Sequence, residues 1–203
     1  MPSLDFELDV FKQNYTFIAG LDEVGRGTIA GPVVSGAVVL DLNKHLEFYE
    51  EINDSKKLTS KKRNSLSILI KRFALTYGIG ISSAKEIDQI GIVPATKLSM
   101  IRAINHLAPK PEYLLIDSLE IPEIDIDQTS LIKGDNISLS IAAASIIAKV
   151  ARDKMMEKYD KYFPNYTFKS HKGYYTKSHA SELIENGVTK IHRKTFAPIK
   201  DFN

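Results

Sequence analysis

A run of five residues, YLLID at Tyr113–Asp117, constrains the fold more than any other segment. It is too apolar for a half-exposed strand, and Pro109 and Pro111 end whatever helix precedes it, so it reads as a central strand buried on both faces. Such a strand needs helices on either side of its sheet, and the flanking sequence supplies them. Segments 15–22 (YTFIAGLD) and 33–40 (VVSGAVVL) read as two strands of a hairpin, and 77–82 (YGIGIS) reads as a third strand. Between them, 61–73 places Leu66, Leu69, Ile70 and Phe73 at helical spacing, with Thr59 or Ser60 as its cap. Pro94 sits near the start of a helix carrying Leu98, Ile101 and Ile104. Segment 129–133 (TSLIK) is a fifth strand, and Ser138 opens a long helix to about Tyr162. Strands first in a meander and then alternating with helices predict an α/β domain with a mixed sheet.

The chain has 203 residues and no internal repeat, low-complexity tract or linker, so at ~150 residues per domain it is expected to be a single domain, 1–203. It has no cysteine, which excludes disulfides, thiolate zinc sites, iron–sulfur clusters and a cysteine nucleophile. Any metal must be held by oxygen or imidazole. No stretch approaches the ~18 uninterrupted apolar residues of a membrane span, and the acidic N-terminus is unlike a secretory signal. No membrane association and a cytoplasmic location are therefore expected. The overall net charge of +2 is unevenly spread: residues 1–132 carry 14 basic against 18 acidic groups, and residues 133–203 carry 13 against 7. An acidic half beside a basic half suits an anionic ligand delivered to bound cations, although surface charge scatter would look the same.

Three acidic positions fall at or just past the C-terminal ends of expected strands: Asp22-Glu23, Asp117 and Asp135. In open α/β sheets that edge is where ligands bind. If the first, fourth and fifth strands are parallel neighbours, these acids converge, and clustered carboxylates either take up protons or hold hard cations such as Mg²⁺ or Mn²⁺. Taken singly, each acid also fits a helix cap or a solvated loop. Alternate residues of a strand face opposite ways, so the first strand is expected to end at Asp22 if Glu23 is to join the group. Asp135, just before a helix, is expected to be kept ionised by free N–H groups and the helix dipole.

The connection Val24-Gly25-Arg26-Gly27-Thr28-Ile29-Ala30-Gly31-Pro32 is neither a dinucleotide fingerprint nor a phosphate-binding P-loop. Its glycines still let backbone N–H groups and a guanidinium approach a sugar-phosphate, or form a tight loop with a solvated arginine. Lys56 and Lys57, with Lys61, Lys62 and Arg63, form either a phosphate-contacting patch or a solvated face. The run 169–179 (KSHKGYYTKSH) mixes basic and aromatic groups around a glycine, as in loops that grip a nucleic-acid backbone. His171 and His179 lack the spacing of a zinc helix and are read as non-ligands.

Taken together and in order, Asp22-Glu23-Val24-Gly25-Arg26-Gly27, Asp54-Ser55-Lys56-Lys57-Leu58, Lys133-Gly134-Asp135 followed by IAAASIIAKVARD at 141–153, and His171-Lys172-Gly173-Tyr174 closely resemble bacterial type 2 ribonuclease H, ribonuclease HII. The resemblance covers about residues 15–198. It implies an RNase H-like fold, a mixed central β-sheet flanked by helices with a helical C-terminal part, whose segment 163–203 completes a substrate groove. It implies hydrolysis of RNA in RNA–DNA hybrids and at single ribonucleotides in duplex DNA, using two divalent ions, Mg²⁺ or Mn²⁺, and leaving 3′-hydroxyl and 5′-phosphate ends. Asp22, Glu23, Asp117 and Asp135 match the family's catalytic, metal-holding carboxylates. Gly25, Arg26 and Gly27 match the loop that recognises the ribose 2′-hydroxyl, Tyr174 the aromatic that packs on the neighbouring deoxyribose, and Lys56 a phosphate-contacting lysine. A monomer with no obligatory protein partner is expected. The related ribonuclease HIII differs in having lysine where Arg26 stands and an additional N-terminal domain. This chain departs from the family pattern at Ser118, where glycine is common, at Thr28, where proline is usual, and in the acidic segment 118–128. A non-catalytic nucleic-acid-binding module and a DNA-directed nuclease or resolvase of similar fold are the competing readings.

Overall fold

The computed structural model describes residues 1–44 and 46–202; His45 and Asn203, which fall within the expected domain, lie outside the described residues. Five strands, β1 (Ile18–Val24), β2 (Val33–Val39), β3 (Thr76–Ser82), β4 (Tyr113–Asp117) and β5 (Asp127–Leu131), form one sheet in the order β3-β2-β1-β4-β5. The hairpin and third strand pair antiparallel, whereas β4 and β5 join β1 in parallel. The mixed sheet and its central apolar β4 agree with the pattern in the sequence.

The helices are α1 (Asp5–Phe11), α2 (Ser60–Phe73), α3 (Ala84–Ile90), α4 (Ile92–Asn105), α5 (Leu139–Tyr162), α6 (Phe168–His171) and α7 (Lys177–Asn186). On one face of the sheet, α4 buries Met100, Ala103 and Ile104 against Ala19, Leu21, Leu114 and Ile116. On the other, α5 lays Ala142, Ala143 and Ala144 close to the strands. The approach is tight: a Cβ added at Gly20 would stand 2.2 Å from the Ser140 carbonyl carbon. Each fully buried isoleucine of α5, such as Ile141, Ile146 and Ile147, contributes on the order of 2 kcal/mol from burial alone. Among the described residues no helix is long and apolar enough to cross a membrane.

The first strand does not end at Asp22 as expected. Pairing with β4 stops at Leu21–Ile116, but the antiparallel ladder with β2 continues through Asp22–Gly36 and Glu23–Ser35 to Val24–Val34. The hairpin partner keeps the backbone extended, so Asp22 and Glu23 leave the sheet on opposite faces. The last strand begins and ends two residues earlier than its apolar pattern suggests, because Lys133 turns into the left-handed region (φ 55°) and breaks the run.

Helices α1 and α3 lie outside the expected pattern, and α6 and the start of α7 overlap 169–179, which reads as a loop. The signal for α3 was present, since Ser83 and Glu86 form a reciprocal capping box. The signal for α1 was long-range. Its Glu7 carboxylate is buried and accepts from the Ser138 and Ser140 hydroxyls and the Ser140 N–H, at 2.6, 2.6 and 2.9 Å. Glu7 thereby fills the anion position at the N-terminus of α5, which Ser138 also caps.

The segment beyond α5 packs as a third cluster, in which Tyr166, Phe168, Leu183, Ile191 and Ile199 close over Met156 and over Ile29 and Ala30 of the β1–β2 connection.

Candidate active site

One residue past the last β1–β4 register pair stand Asp22 on β1 and Asp117 on β4. Strand alternation places both on the α5 side, since Gly20 abuts α5 and Leu115 packs with Ile141. Asp117 Oδ1 accepts from the Gly134 N–H at 2.7 Å, which ties the exit of β5 to the end of β4 and brings Asp135 alongside. Ser118, at φ 55°, turns the chain directly after Asp117 and donates its hydroxyl to the same oxygen at 3.2 Å. The left-handed backbone there explains why glycine is favoured at this position.

Asp22 is only 5% exposed. Burial, then Glu23 and Asp117, push its carboxyl well above the usual range, against the Ser145 hydroxyl and the Glu23 N–H, which favour the charged form. Burial and Asp117 also raise Glu23, opposed by Arg26, whose Nη1 lies 3.2 Å from Glu23 Oε1. The other Glu23 oxygen, Oε2, is buried without a hydrogen-bond partner. Burial, then Asp54 and Asp117, raise Asp135, and Asn136 and Lys56 offset this only in part. The α5 N-terminus, expected to serve Asp135, is occupied by Glu7 and Ser138 instead.

Lys56 is exposed, with its Nζ 4.0 Å from Asp135 Oδ2. Burial pulls its ammonium down, but Asp135, Asp22, Asp54 and Asp117 together raise it above the ordinary lysine value. The turn that carries it is anchored on both sides, Ser55 Oγ lying 2.9 Å from Ser145 Oγ and Lys57 donating to Asn136 Oδ1 at 2.7 Å. Arg63, read as part of a basic patch, instead donates to the carbonyls of Ser55 and Leu58.

Among the described residues, no three His, Asp or Glu side chains are arranged to enclose an ion as they stand. The donor chemistry nevertheless fits a hard divalent cation. The donors are all carboxylate oxygens, one of them buried and unpartnered, and burial first, then repulsion between neighbouring carboxylates, raises several of these acids so that a positive charge would relieve them.

The Gly25-Arg26-Gly27 connection leaves β1 beside these acids. Gly25 has φ 95°, and a Cβ there would collide with the Arg152 side chain at 2.2 Å, whereas nothing lies within 4 Å of the Cβ position of Gly27. Thr28, a departure from the family pattern, is fully buried: its hydroxyl accepts from Arg152 Nη2 at 2.9 Å and faces the Gly25 and Ala30 carbonyls at 3.0 and 3.1 Å. Tyr174 is 46% exposed, and its neighbour Gly173 accepts from the Ile29 N–H at 2.9 Å, so the aromatic is fixed to the same connection.

Sequence reasoning missed what holds Gly173 and Tyr174. His171, His179 and His192 are buried together, with the first two rings stacked at 4.0 Å. The Thr189 N–H donates to His192 Nδ1, so a neutral His192 carries its proton on Nε2 and donates to His179 Nε2 at 2.9 Å. His179 must then donate from Nδ1 to the Tyr174 carbonyl at 2.8 Å. His171 accepts from the Gly173 N–H and donates to Glu182 at 3.0 Å. Burial first pushes all three down, His179 and His192 to about 4. Their hydrogen bonds make them scaffold for this segment.

Residues 19–199 match the family model described as Ribonuclease HII. The chain is 50% identical over 191 residues to Ribonuclease HII of Clostridioides difficile (strain 630), covering 94% of this chain and 74% of that protein. It is 53% identical over 196 residues to Ribonuclease HII of Enterococcus faecalis (strain ATCC 700802 / V583), covering 97% and 75%. Its fold is similar to the crystal structure of the ribonuclease H2 from Pyrococcus horikoshii OT3, with a TM-score of 0.75 at 27% identity over 91% of this chain and 96% of that one. An acid-lined edge on an RNase H-like mixed sheet, with a glycine-rich connection beside it, thus accompanies a match over nearly the whole chain: it belongs to the ribonuclease HII family of metal-dependent endoribonucleases acting on RNA–DNA hybrids.

Proposed function

We propose that the chain incises duplex DNA at single embedded ribonucleotides as well as cutting the RNA strand of hybrids, with Asp22, Glu23, Asp117 and Asp135 holding two divalent ions, Mg²⁺ or Mn²⁺, and Glu23 reaching them with its longer side chain past the end of the β1–β4 pairing. The observation that carries this reading is the pair Asp22 and Asp117 on one face of adjacent parallel strands, with Gly134 binding Asp117 and so drawing in Asp135. When bound, such ions supply a water of lowered pKa and stabilise charge on the leaving 3′ oxygen.

The protein's own groups do the rest. The Gly134 N–H and Ser118 hydroxyl orient the Asp117 carboxylate, and the Ser145 hydroxyl favours the charged form of Asp22. Lys56, extended over the acids, meets a phosphate of the bound strand. Gly25, Arg26 and Gly27 contact the ribose, whose 2′-hydroxyl is what separates RNA from DNA at the cut site. Tyr174, fixed to the same connection, packs on the next sugar, and the segment from residue 163 onward completes the groove. No protein nucleophile is needed, and the products carry 3′-hydroxyl and 5′-phosphate ends. A chain acting as a monomer is sufficient for this chemistry.

The test is to incubate the purified chain with duplex DNA bearing one ribonucleotide, with an RNA–DNA hybrid and with all-DNA duplex, adding Mg²⁺, Mn²⁺ or chelator, and to size the products on a denaturing gel. Metal-dependent cutting of the first two alone is expected. A shifted but uncut duplex would make the chain a binding module, and cutting of all-DNA would make it a DNA nuclease.

A further inference from the structure

The two largest fully buried side chains are arginines, Arg152 and Arg193, each 0% exposed. Among the described residues neither forms an ion pair, so two desolvated cations are met by neutral groups alone, including for Arg193 the Phe196 ring at 5.0 Å, an arrangement that is costly unless the donors are used. All but one of these donor contacts fall on the connection 25–32. Arg193 donates to the Gly25, Arg26 and Gly31 carbonyls, the Arg26 contact at 2.7 Å. Arg152 donates to the Pro32, Ala30 and Lys172 carbonyls and to the Thr28 hydroxyl. The guanidinium groups thus secure the placement of these carbonyls.

In a trans peptide the C=O and N–H point in opposite directions. Turning the Gly25 and Arg26 carbonyls inward onto Arg193 therefore turns the N–H groups of Arg26 and Gly27 outward. Among the described residues neither N–H has a protein acceptor, and the space where a Gly27 side chain would stand is empty. Two adjacent free donors over an open gap suit a single hydroxyl oxygen approaching closely.

We propose that Arg193, assisted by Arg152, is the positioning residue for ribonucleotide discrimination: it holds the loop so that the Arg26 and Gly27 amides face the sugar. It touches no substrate itself. The inference rests on the function proposed above and adds which buried group sets the choice between ribose and deoxyribose.

The experiment measures, by fluorescence anisotropy in chelator so that nothing is cut, the affinity for a duplex with one ribonucleotide and for the same duplex all in DNA. Arg193→Lys keeps the charge but loses the fork that spans two carbonyls. The ratio of the two affinities is expected to fall about tenfold in Arg193→Lys, as one or two hydrogen bonds are lost, with all-DNA binding unchanged. A folded Arg193→Lys that keeps the wild-type ratio would overturn the inference. Should that variant fail to fold, amide chemical shifts of wild-type Arg26 and Gly27 decide: they move with the ribonucleotide duplex and not with all-DNA, and equal movement would overturn it. A wild-type chain that cleaves at ribonucleotides yet binds both duplexes equally would sink this inference alone. A chain that cuts neither substrate sinks the reading it rests on.

Discussion

The acid edge and the buried arginine–histidine region are both rich in ionisable groups, and they are built on opposite terms. At the edge, Asp22, Glu23 and Asp135 are raised by burial and by neighbouring carboxylates, Asp117 in each case, and Glu23 Oε2 has no partner. Around the connection 25–32, two arginines and three histidines are buried as deeply, yet their donors and acceptors meet protein partners. Charge left unanswered inside a fold awaits a ligand; charge answered in full supports the groups that meet one.

The sharpest way to break this comparison is Asp117→Asn. Metal-dependent cleavage should fall at least about 10³-fold while hybrid binding and melting temperature hold or improve, because one of several repelling acids is gone. A clear loss of stability would make Asp117 scaffold after all. Arg152→Met should do the opposite, costing about 3 kcal/mol or more in urea unfolding by leaving the Pro32, Ala30 and Lys172 carbonyls unpaired.

The histidines give the pH counterpart. They are neutral when folded and carry depressed values, so the unfolded chain binds more protons below the ordinary value of 6.5. Stability should be complete above that pH and decline as it falls towards about 4, visible as a falling melting temperature. His179→Gln should make that slope shallower, and an unchanged slope would mean that the titration lies elsewhere.

Tyr174→Ala should reduce incision at isolated ribonucleotides about tenfold, the loss of one aromatic contact, and affect long hybrids less. Equal losses on both would assign the ring to packing. The smallest effect concerns the turn after Asp117: Ser118→Gly should stabilise the fold by about 1 kcal/mol by relieving its left-handed backbone, as measured by urea unfolding.

Much of the acid edge was legible because its signals are local. An apolar strand ending in aspartate announces both its burial and its carboxylate within five residues, and the Asp22-Glu23 and Gly134-Asp135 pairs repeat the pattern. The continuation of β1 past Asp22 was hidden because it depends on β2 still pairing across the sheet. Arg193 was hidden for a stronger reason. Its partner Gly25 lies 168 residues away, and in a basic C-terminal stretch a buried arginine looks like a solvated one. The histidines likewise acquire meaning only when His192 meets His179, and Glu7 only when it meets Ser138.

That last contact bears on synthesis. Glu7 emerges from the ribosome with the first turn of helix, but Ser138 follows 131 residues later, and β1 must also wait for β4 at its open edge. The nascent chain therefore stays unsealed along one side until the start of α5 has been made, and closing so long a loop, rather than forming any single helix, should govern how fast the molecule matures.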